Sequence, residues 1–189
     1  MAESPCSGSD AVVKAENDAI EMYRLAALLL GSESEALRLV ESSVAGVDVD
    51  PCADPCAARG LVQDRVLEGA LAILHHQDPN SFVEVPATAA VSSCLDDEPA
   101  SLSGAEISDL MAGAGRNRLR EWLGRLSHAQ RAVFVQRALL GRTNADTARA
   151  INRFSRPSIW TPEAVGRLFR QALCSLASSL VHAAPVGQS

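Results

Sequence analysis

Apolar residues recur at helical spacing along most of this 189-residue chain, and that periodicity limits its possible folds more than any other feature. In the N-terminal half it predicts helices at about 10–30, 32–45 and 57–76. Gly31 is expected to end the first helix, and Ser32 with Glu35 has capping-box spacing for the second. Alanine and leucine are strong helix formers, and the dipeptides that mark hairpins are nearly absent. The sequence therefore predicts an all-α protein.

The C-terminal part carries a second series of helix start and stop signals. Ser103, Ser127, Thr143 and Thr161 are predicted N-caps, and Gly141 occupies the position after a helix that favours glycine. Pro162 follows Thr161, as is common at the first position of a helix. These signals predict one helix beginning after Ser103, followed by helices at about 116–126, 129–140, 144–151 and 162–181.

Composition divides the chain into two helical domains joined by a flexible linker. Residues 77–103 contain three prolines, many serines and the acidic run Asp96-Asp97-Glu98, which predicts an acidic linker. Within it, Phe82-Val83-Glu84-Val85 is a segment that could pair or dock locally. The expected domains are therefore 11–76 and 104–182, with disordered ends at 1–10 and 183–189.

The charge is distributed very unevenly between the two halves. Residues 1–115 contain five basic and twenty acidic residues, a net charge of −15, whereas residues 116–189 contain twelve arginines and three acidic residues, a net charge of +9. The basic half is suited to meet phosphate groups, and the acidic half would be repelled by them. This contrast predicts two units with different partners.

The sequence contains little that would indicate an enzyme or a membrane protein. No glycine-rich phosphate loop, HExxH or GxSxG motif is present, so no catalytic residue and no cofactor is predicted. The five cysteines, odd in number and scattered, argue against a disulfide framework, and Cys52 and Cys56 are interpreted as loop residues rather than metal ligands. The longest apolar run, 25–30, is too short to span a bilayer and no secretory signal is found, so the predicted location is the cytoplasm and no membrane partner is expected.

The last two predicted helices have the proportions of a helix-turn-helix within a basic helical module at 116–176. A short helix, a turn and a longer helix follow one another, with the small residue Ala148 where the helices must approach closely. The longer helix would lie in the major groove of DNA and the shorter one near the backbone. The predicted DNA-binding residues are Arg142, Thr143, Asn144, Arg149, Thr161, Glu163, Ala164, Arg167, Arg170 and Gln171.

Three segments of this half resemble region 4 of bacterial sigma-70-type factors. Residues 123–135 resemble the start of that region, and 141–148 resemble its Gly-x-Ser-x-x-Glu-Ile-Ala pattern. Residues 163–176 resemble its recognition helix, which ends in an Arg-Ala-x-x-x-Leu pattern. The resemblance covers about fifty-five residues and implies binding to a −35-like promoter element.

The N-terminal half is similar to regions 2.1 and 2.2 of the small extracytoplasmic-function sigma factors, at 25–32 and 36–44. This resemblance implies that core RNA polymerase is a partner and that an anti-sigma factor could regulate the protein. The implied polymerase-binding residues are Leu37, Arg38, Val40, Glu41 and Ser42.

Two departures from the family indicate an atypical, degenerate member. Leu37-Arg38 stands where the family has Glu-Asp, and residues 57–76 lack the aromatic, basic surface that melting a promoter requires. Two alternatives remain open. One is a helix-turn-helix regulator whose acidic half is a dimerisation or effector domain, and the other is an adaptor that reuses the sigma fold and binds no DNA.

Overall fold

Helices account for all the regular structure in the described part of the chain, which confirms the all-α prediction. The computed structural model describes residues 8–46, 55–83, 114–155 and 159–183. Its contacts divide the chain into two units, Met1–Leu74 and His75–Ser189. The helix expected after Ser103 and most of the expected linker lie outside the described residues. No described helix combines the length and the apolar character needed to cross a membrane.

The first unit is built from α1 (Gly8–Leu30), α2 (Glu33–Ala45) and most of α3 (Pro55–Gln77). The predicted turn between α1 and α2 is confirmed, because Gly31 has a φ of 73° and the Ser32 hydroxyl accepts from the backbone N–H of Glu35 at 3.4 Å. This left-handed backbone conformation favours glycine, which has no Cβ to clash with the chain. The sequence therefore fixes both the end of α1 and the start of α2.

Leucine, alanine and valine side chains form the core of this unit. A glycine lets α2 and α3 approach closely, since a Cβ added at Gly69 would lie 2.4 Å from the Leu39 side chain. At the surface, Arg59 of α3 forms ion pairs with Asp18 and Glu21 of α1. On α3 the core residues are Val66, Leu67, Ala70, Leu71 and Leu74, whereas Leu61 is exposed.

The second unit contains a 3-10 turn (Pro79–Phe82), α4 (Ala114–Arg125), α5 (His128–Phe134), α6 (Asn144–Asn152) and α7 (Pro162–Ala183). The predicted cap of α5 is confirmed as a full capping box between Ser127 and Gln130. The prediction of one α-helix at 129–140 is only partly correct. The α-helix ends at Phe134, and the chain continues as a π-helical segment at Val135–Leu139.

Aromatic side chains join the helices of the second unit. The ring of Trp122 meets Phe134 edge-on with centroids 4.8 Å apart, and its indole N–H donates to the Ser175 hydroxyl at 3.1 Å. Phe134 in turn lies 6.1 Å from Phe169 of α7. These contacts pack α4 and α5 against α7, and such aromatic pairs stabilise a core beyond their buried area.

Cys174 in α7 takes part in a disulfide bond. The side chains of the other four cysteines lie outside the described residues, so the expectation that the chain has no disulfide framework stays a prediction.

A buried arginine ties α5 to the end of α4. Arg131 donates from Nε to the carbonyl of Leu123 at 3.0 Å and from Nη2 to the carbonyl of Gly124 at 3.4 Å. The last carbonyls of a helix have no partner within it, so this guanidinium satisfies them. Burial lowers the pKa of Arg131, yet an arginine stays charged at neutral pH.

Replacing Arg131 should therefore destabilise the second unit. We expect Arg131→Met to lower the free energy of unfolding by about 2–3 kcal/mol, because the Leu123 and Gly124 carbonyls lose a charged donor. Urea unfolding followed by circular dichroism measures the change. Arg118→Met, at an exposed position of α4, is the matched control and should stay within about 0.5 kcal/mol of the parent protein. Equal losses in the two variants would contradict this role for Arg131.

Candidate nucleic-acid interface

Small residues allow α6 and α7 to pack closely. Ala148 of α6 is 3% exposed, as its predicted place at the helix crossing requires. On α7, a Cβ added at Gly166 would lie 3.0 Å from Nδ2 of Asn144, so the first turn of α6 rests on the backbone of α7. The two helices thus meet at positions where larger side chains would force them apart.

The long connection between these helices is closed by one side chain. Nδ2 of Asn152 donates to the carbonyl of Trp160 at 2.9 Å, and the backbone N–H of Trp160 donates to Oδ1 of Asn152 at 2.7 Å. We call this pair of hydrogen bonds the Asn152–Trp160 clamp. The clamp joins Asn152, the last residue of α6, to Trp160, the residue before the N-cap of α7. The distance between the two helix ends is therefore held by these hydrogen bonds and does not depend on the residues of the connection.

The predicted caps of both helices are confirmed. The Thr143 hydroxyl accepts from the backbone N–H of Asp146 at 3.1 Å and donates to its carboxylate at 2.6 Å. The Thr161 hydroxyl accepts from the backbone N–H of Ala164 at 3.2 Å. Each threonine thus satisfies a donor that the first turn of its helix leaves without a backbone partner.

The structure sorts the predicted DNA-binding residues by exposure. Five have exposed side chains: Thr143, Arg149, Glu163, Arg170 and Gln171. Four are half-buried: Arg142, Asn144, Thr161 and Arg167.

Ala164 is 6% exposed, so its assignment to the outer face of α7 is wrong. It lies one residue before the fully buried Val165 and takes part in the cap contact with Thr161. Asn144 is not a purely surface residue either. Its side-chain amide packs against Gly166, and its Oδ1 is buried.

Both helices carry an ionised carboxylate in the first turn. The hydrogen bond from Thr143 is the main cause that lowers the pKa of Asp146, and the charge of Arg149 adds to it. For Glu163, a hydrogen bond from its own backbone N–H lowers the pKa most, with Thr161 and Arg167 contributing. Negative side chains complement the partial positive charge of a helix N-terminus. Attraction of phosphate to this surface would therefore have to come from the arginines.

A half-buried arginine that joins three elements is absent from the predicted site residues. The guanidinium of Arg137, in the π-helical segment, lies 5.3 Å from the centroid of the Phe169 ring on α7. It also donates to the carbonyl of Arg142, in the turn before α6. From the sequence, Arg137 contributed only to the net positive charge of its half. The residues next to it do not show that its guanidinium lies over the ring of Phe169 in another helix.

The predicted polymerase-binding residues lie on α2, in the first unit. Leu37, Arg38, Glu41 and Ser42 are exposed, with Leu37 51% exposed, and the Ser42 hydroxyl donates to the carbonyl of Leu39 at 2.9 Å. Val40 is 6% exposed, so its assignment to a binding surface is wrong. It lies on the same side of α2 as Ala36 and Leu39, which face the core.

No cluster of three metal-ligating side chains occurs among the described residues. The backbone of Cys56 lies in the first turn of α3, so its interpretation as a loop residue is wrong. Cys52 and the side chain of Cys56 lie outside the described residues, so a metal role for these two cysteines stays untested.

Comparison with protein-family models, curated proteins and solved structures finds no match for this chain. The interface is therefore interpreted from its own geometry and charge.

The Asn152–Trp160 clamp should govern how α7 is presented. Asn152→Ala removes both hydrogen bonds and leaves the buried Trp160 backbone without those partners, so we expect a loss of about 1–3 kcal/mol in the free energy of unfolding. Thermal or urea unfolding measures it, with Asn117→Ala at an exposed position of α4 as the control. An Asn152→Ala variant as stable as that control would show that the clamp does not hold the turn.

Proposed function

We propose that this protein binds DNA through α6 and α7 and acts as a sigma-factor-like transcription initiation protein. The observation that carries the proposal is the Asn152–Trp160 clamp, which keeps a helix-turn-helix pairing in spite of a long turn. The helical fold of the second unit and the excess of arginines over acidic residues at 116–189 add support.

In this proposal the first turns of α7 enter the major groove. Arg170 and Gln171 are exposed on α7, and Glu163 is exposed in its first turn. Arginine pairs with guanine, glutamine with adenine and glutamate with the amino group of cytosine, so these three can read base edges. The half-buried Arg142 and exposed Arg149 of the α6 region are suited to phosphate contacts, which fix register without reading sequence.

Arg170 offers the sharpest test of DNA binding. We expect Arg170→Ala to weaken binding to a selected promoter-like duplex by roughly 5- to 150-fold, the cost of about 1–3 kcal/mol for one good base contact. Fluorescence anisotropy titrations at several salt concentrations measure this.

The salt dependence separates the two possible contacts of Arg170. A base contact leaves the slope of log K against log salt unchanged, whereas a phosphate contact reduces its magnitude by about 0.9. Arg118→Ala on α4 is the matched control for loss of one exposed arginine. Should both variants bind as tightly as the parent protein, α7 would not be the reading helix.

The proposed second partner is core RNA polymerase, contacted by the exposed residues of α2. We expect the full chain to co-purify with core polymerase, and Leu37→Asp with Glu41→Lys to abolish this, because an apolar contact and a charge are both replaced. Run-off transcription then shows whether bound protein initiates. Gln63→Lys, at a half-buried position of α3, is a charge control on a different helix.

Two outcomes of these experiments distinguish the sigma-factor proposal from the regulator. Binding without transcription supports a degenerate sigma factor, since the first unit shows no exposed aromatic surface for flipped bases among its described residues. No polymerase binding with intact DNA binding removes the sigma proposal and leaves a helix-turn-helix regulator. Either partner implies a cytoplasmic protein, and an anti-sigma factor stays a possible regulator of the sigma form.

One observation favours an adaptor that binds no DNA. Asp146 and Glu163 place negative charge in the first turns of both helices, where phosphate would otherwise be attracted. Phosphate contacts impose a steep salt dependence on binding. An adaptor is supported if the protein shows no salt-dependent association with duplex DNA even at low ionic strength.

A further inference from the structure

The start of the second unit contacts the helix-turn-helix through a short 3-10 turn. Phe82, the last residue of that turn, is 2% exposed, and its carbonyl accepts from the indole N–H of Trp160 at 2.8 Å. The ring of His75 lies 5.6 Å from the Phe82 ring. A segment assigned to a flexible linker by composition is thus packed into the second unit.

A second contact anchors the same turn to α5. The Ser81 hydroxyl accepts from the backbone N–H of Ala129 at 2.9 Å. Ala129 lies in the first turn of α5, where backbone N–H groups have no partner within the helix. Asp78 in turn stabilises the 3-10 turn by accepting from the backbone N–H of Ser81 at 3.2 Å. We call residues 78–82 the clasp.

The clasp contacts Trp160, the residue just before the N-cap of α7. Trp160 is 3% exposed and directly precedes Thr161, the N-cap of α7. Its backbone is held by Asn152 and its side chain by the Phe82 carbonyl. Loss of the Phe82 ring would leave a cavity beside the clasp. The Phe82 carbonyl could then move away from the indole N–H of Trp160. Trp160, next to the first turn of α7, would then be held by Asn152 alone.

We infer that the clasp positions α7 for DNA reading, and that Phe82 of the clasp and its partner Trp160 are the positioning residues. This inference rests on the proposed DNA-binding function. Neither side chain is exposed to touch DNA, so the clasp acts by fixing the orientation of the first turn of α7. Its loss should weaken binding without removing any phosphate contact.

The first measurement tests the packing in the full chain without DNA. The protein has two tryptophans, so a Trp122→Phe background makes Trp160 the sole fluorescent indole. We expect Phe82→Ala in that background to shift the emission to longer wavelength as the indole meets water. Val83→Ala should leave it unchanged, because Val83 is 54% exposed. An unshifted spectrum for Phe82→Ala would overturn the clasp.

The second measurement tests positioning by DNA titration across salt concentrations. We expect Phe82→Ala to weaken binding roughly tenfold or more with an unchanged salt slope, because no counterion-releasing contact is lost. Phe82→Leu keeps most of the apolar volume and should restore much of the affinity. Should Phe82→Ala fail to fold by circular dichroism, Trp160→Phe, which removes the indole N–H and keeps an aromatic ring, serves as the test variant.

The outcomes separate this inference from the proposed function. If the parent protein binds DNA and the folded Phe82→Ala or Trp160→Phe variant binds equally well, the clasp has no positioning role while the proposed function stands. If the parent protein fails to bind DNA at low salt, the proposed function fails and the positioning role fails with it. A weaker variant with a reduced salt slope would also overturn the inference, because it would indicate a lost phosphate contact.

Discussion

The interface depends on the pair of hydrogen bonds between the Asn152 side chain and the backbone of Trp160. A primary amide presents a donor and an acceptor side by side, so it can pair with the N–H and C=O of one residue as a neighbouring strand would. That pairing joins α6 to α7 over a turn whose length would otherwise leave their relative position open. The close contact of Asn144 with Gly166 fixes the other end of α6 against α7.

Two partly or fully buried arginines organise the rest of the second unit. Arg131 satisfies carbonyls at the end of α4, and Arg137 covers the Phe169 ring while binding the carbonyl of Arg142. In both cases a planar guanidinium with several donors reaches more than one backbone or ring partner, and its rigid fork is better suited to such contacts than the compact ammonium of a lysine. Part of the positive charge of this unit therefore stabilises the fold and is not directed towards a ligand.

The surface left for a partner combines both signs of charge. The arginines of α6 and α7 lie beside Asp146 and Glu163, two carboxylates that are ionised at neutral pH and whose pKa values are lowered further by hydrogen bonds and by the neighbouring arginines. Such a mixed surface favours selectivity over indiscriminate attraction to phosphate, because wrong partners meet like charge. It is compatible with a reader of base edges held in place by a few phosphate contacts.

Helix positions, caps and the all-α class followed from the sequence, because they depend on spacing and on residues within one turn, such as Gly31, Ser127 and Thr143. The exposure of Arg170 and the burial of Ala148 followed from the same periodicity. Tertiary structure alone decided the inward positions of Ala164 and Val40, the clamp, and the packing of Phe82 against the second unit. Each of these depends on which distant residue fills the space beside a side chain, and periodicity along one helix carries no information about that neighbour.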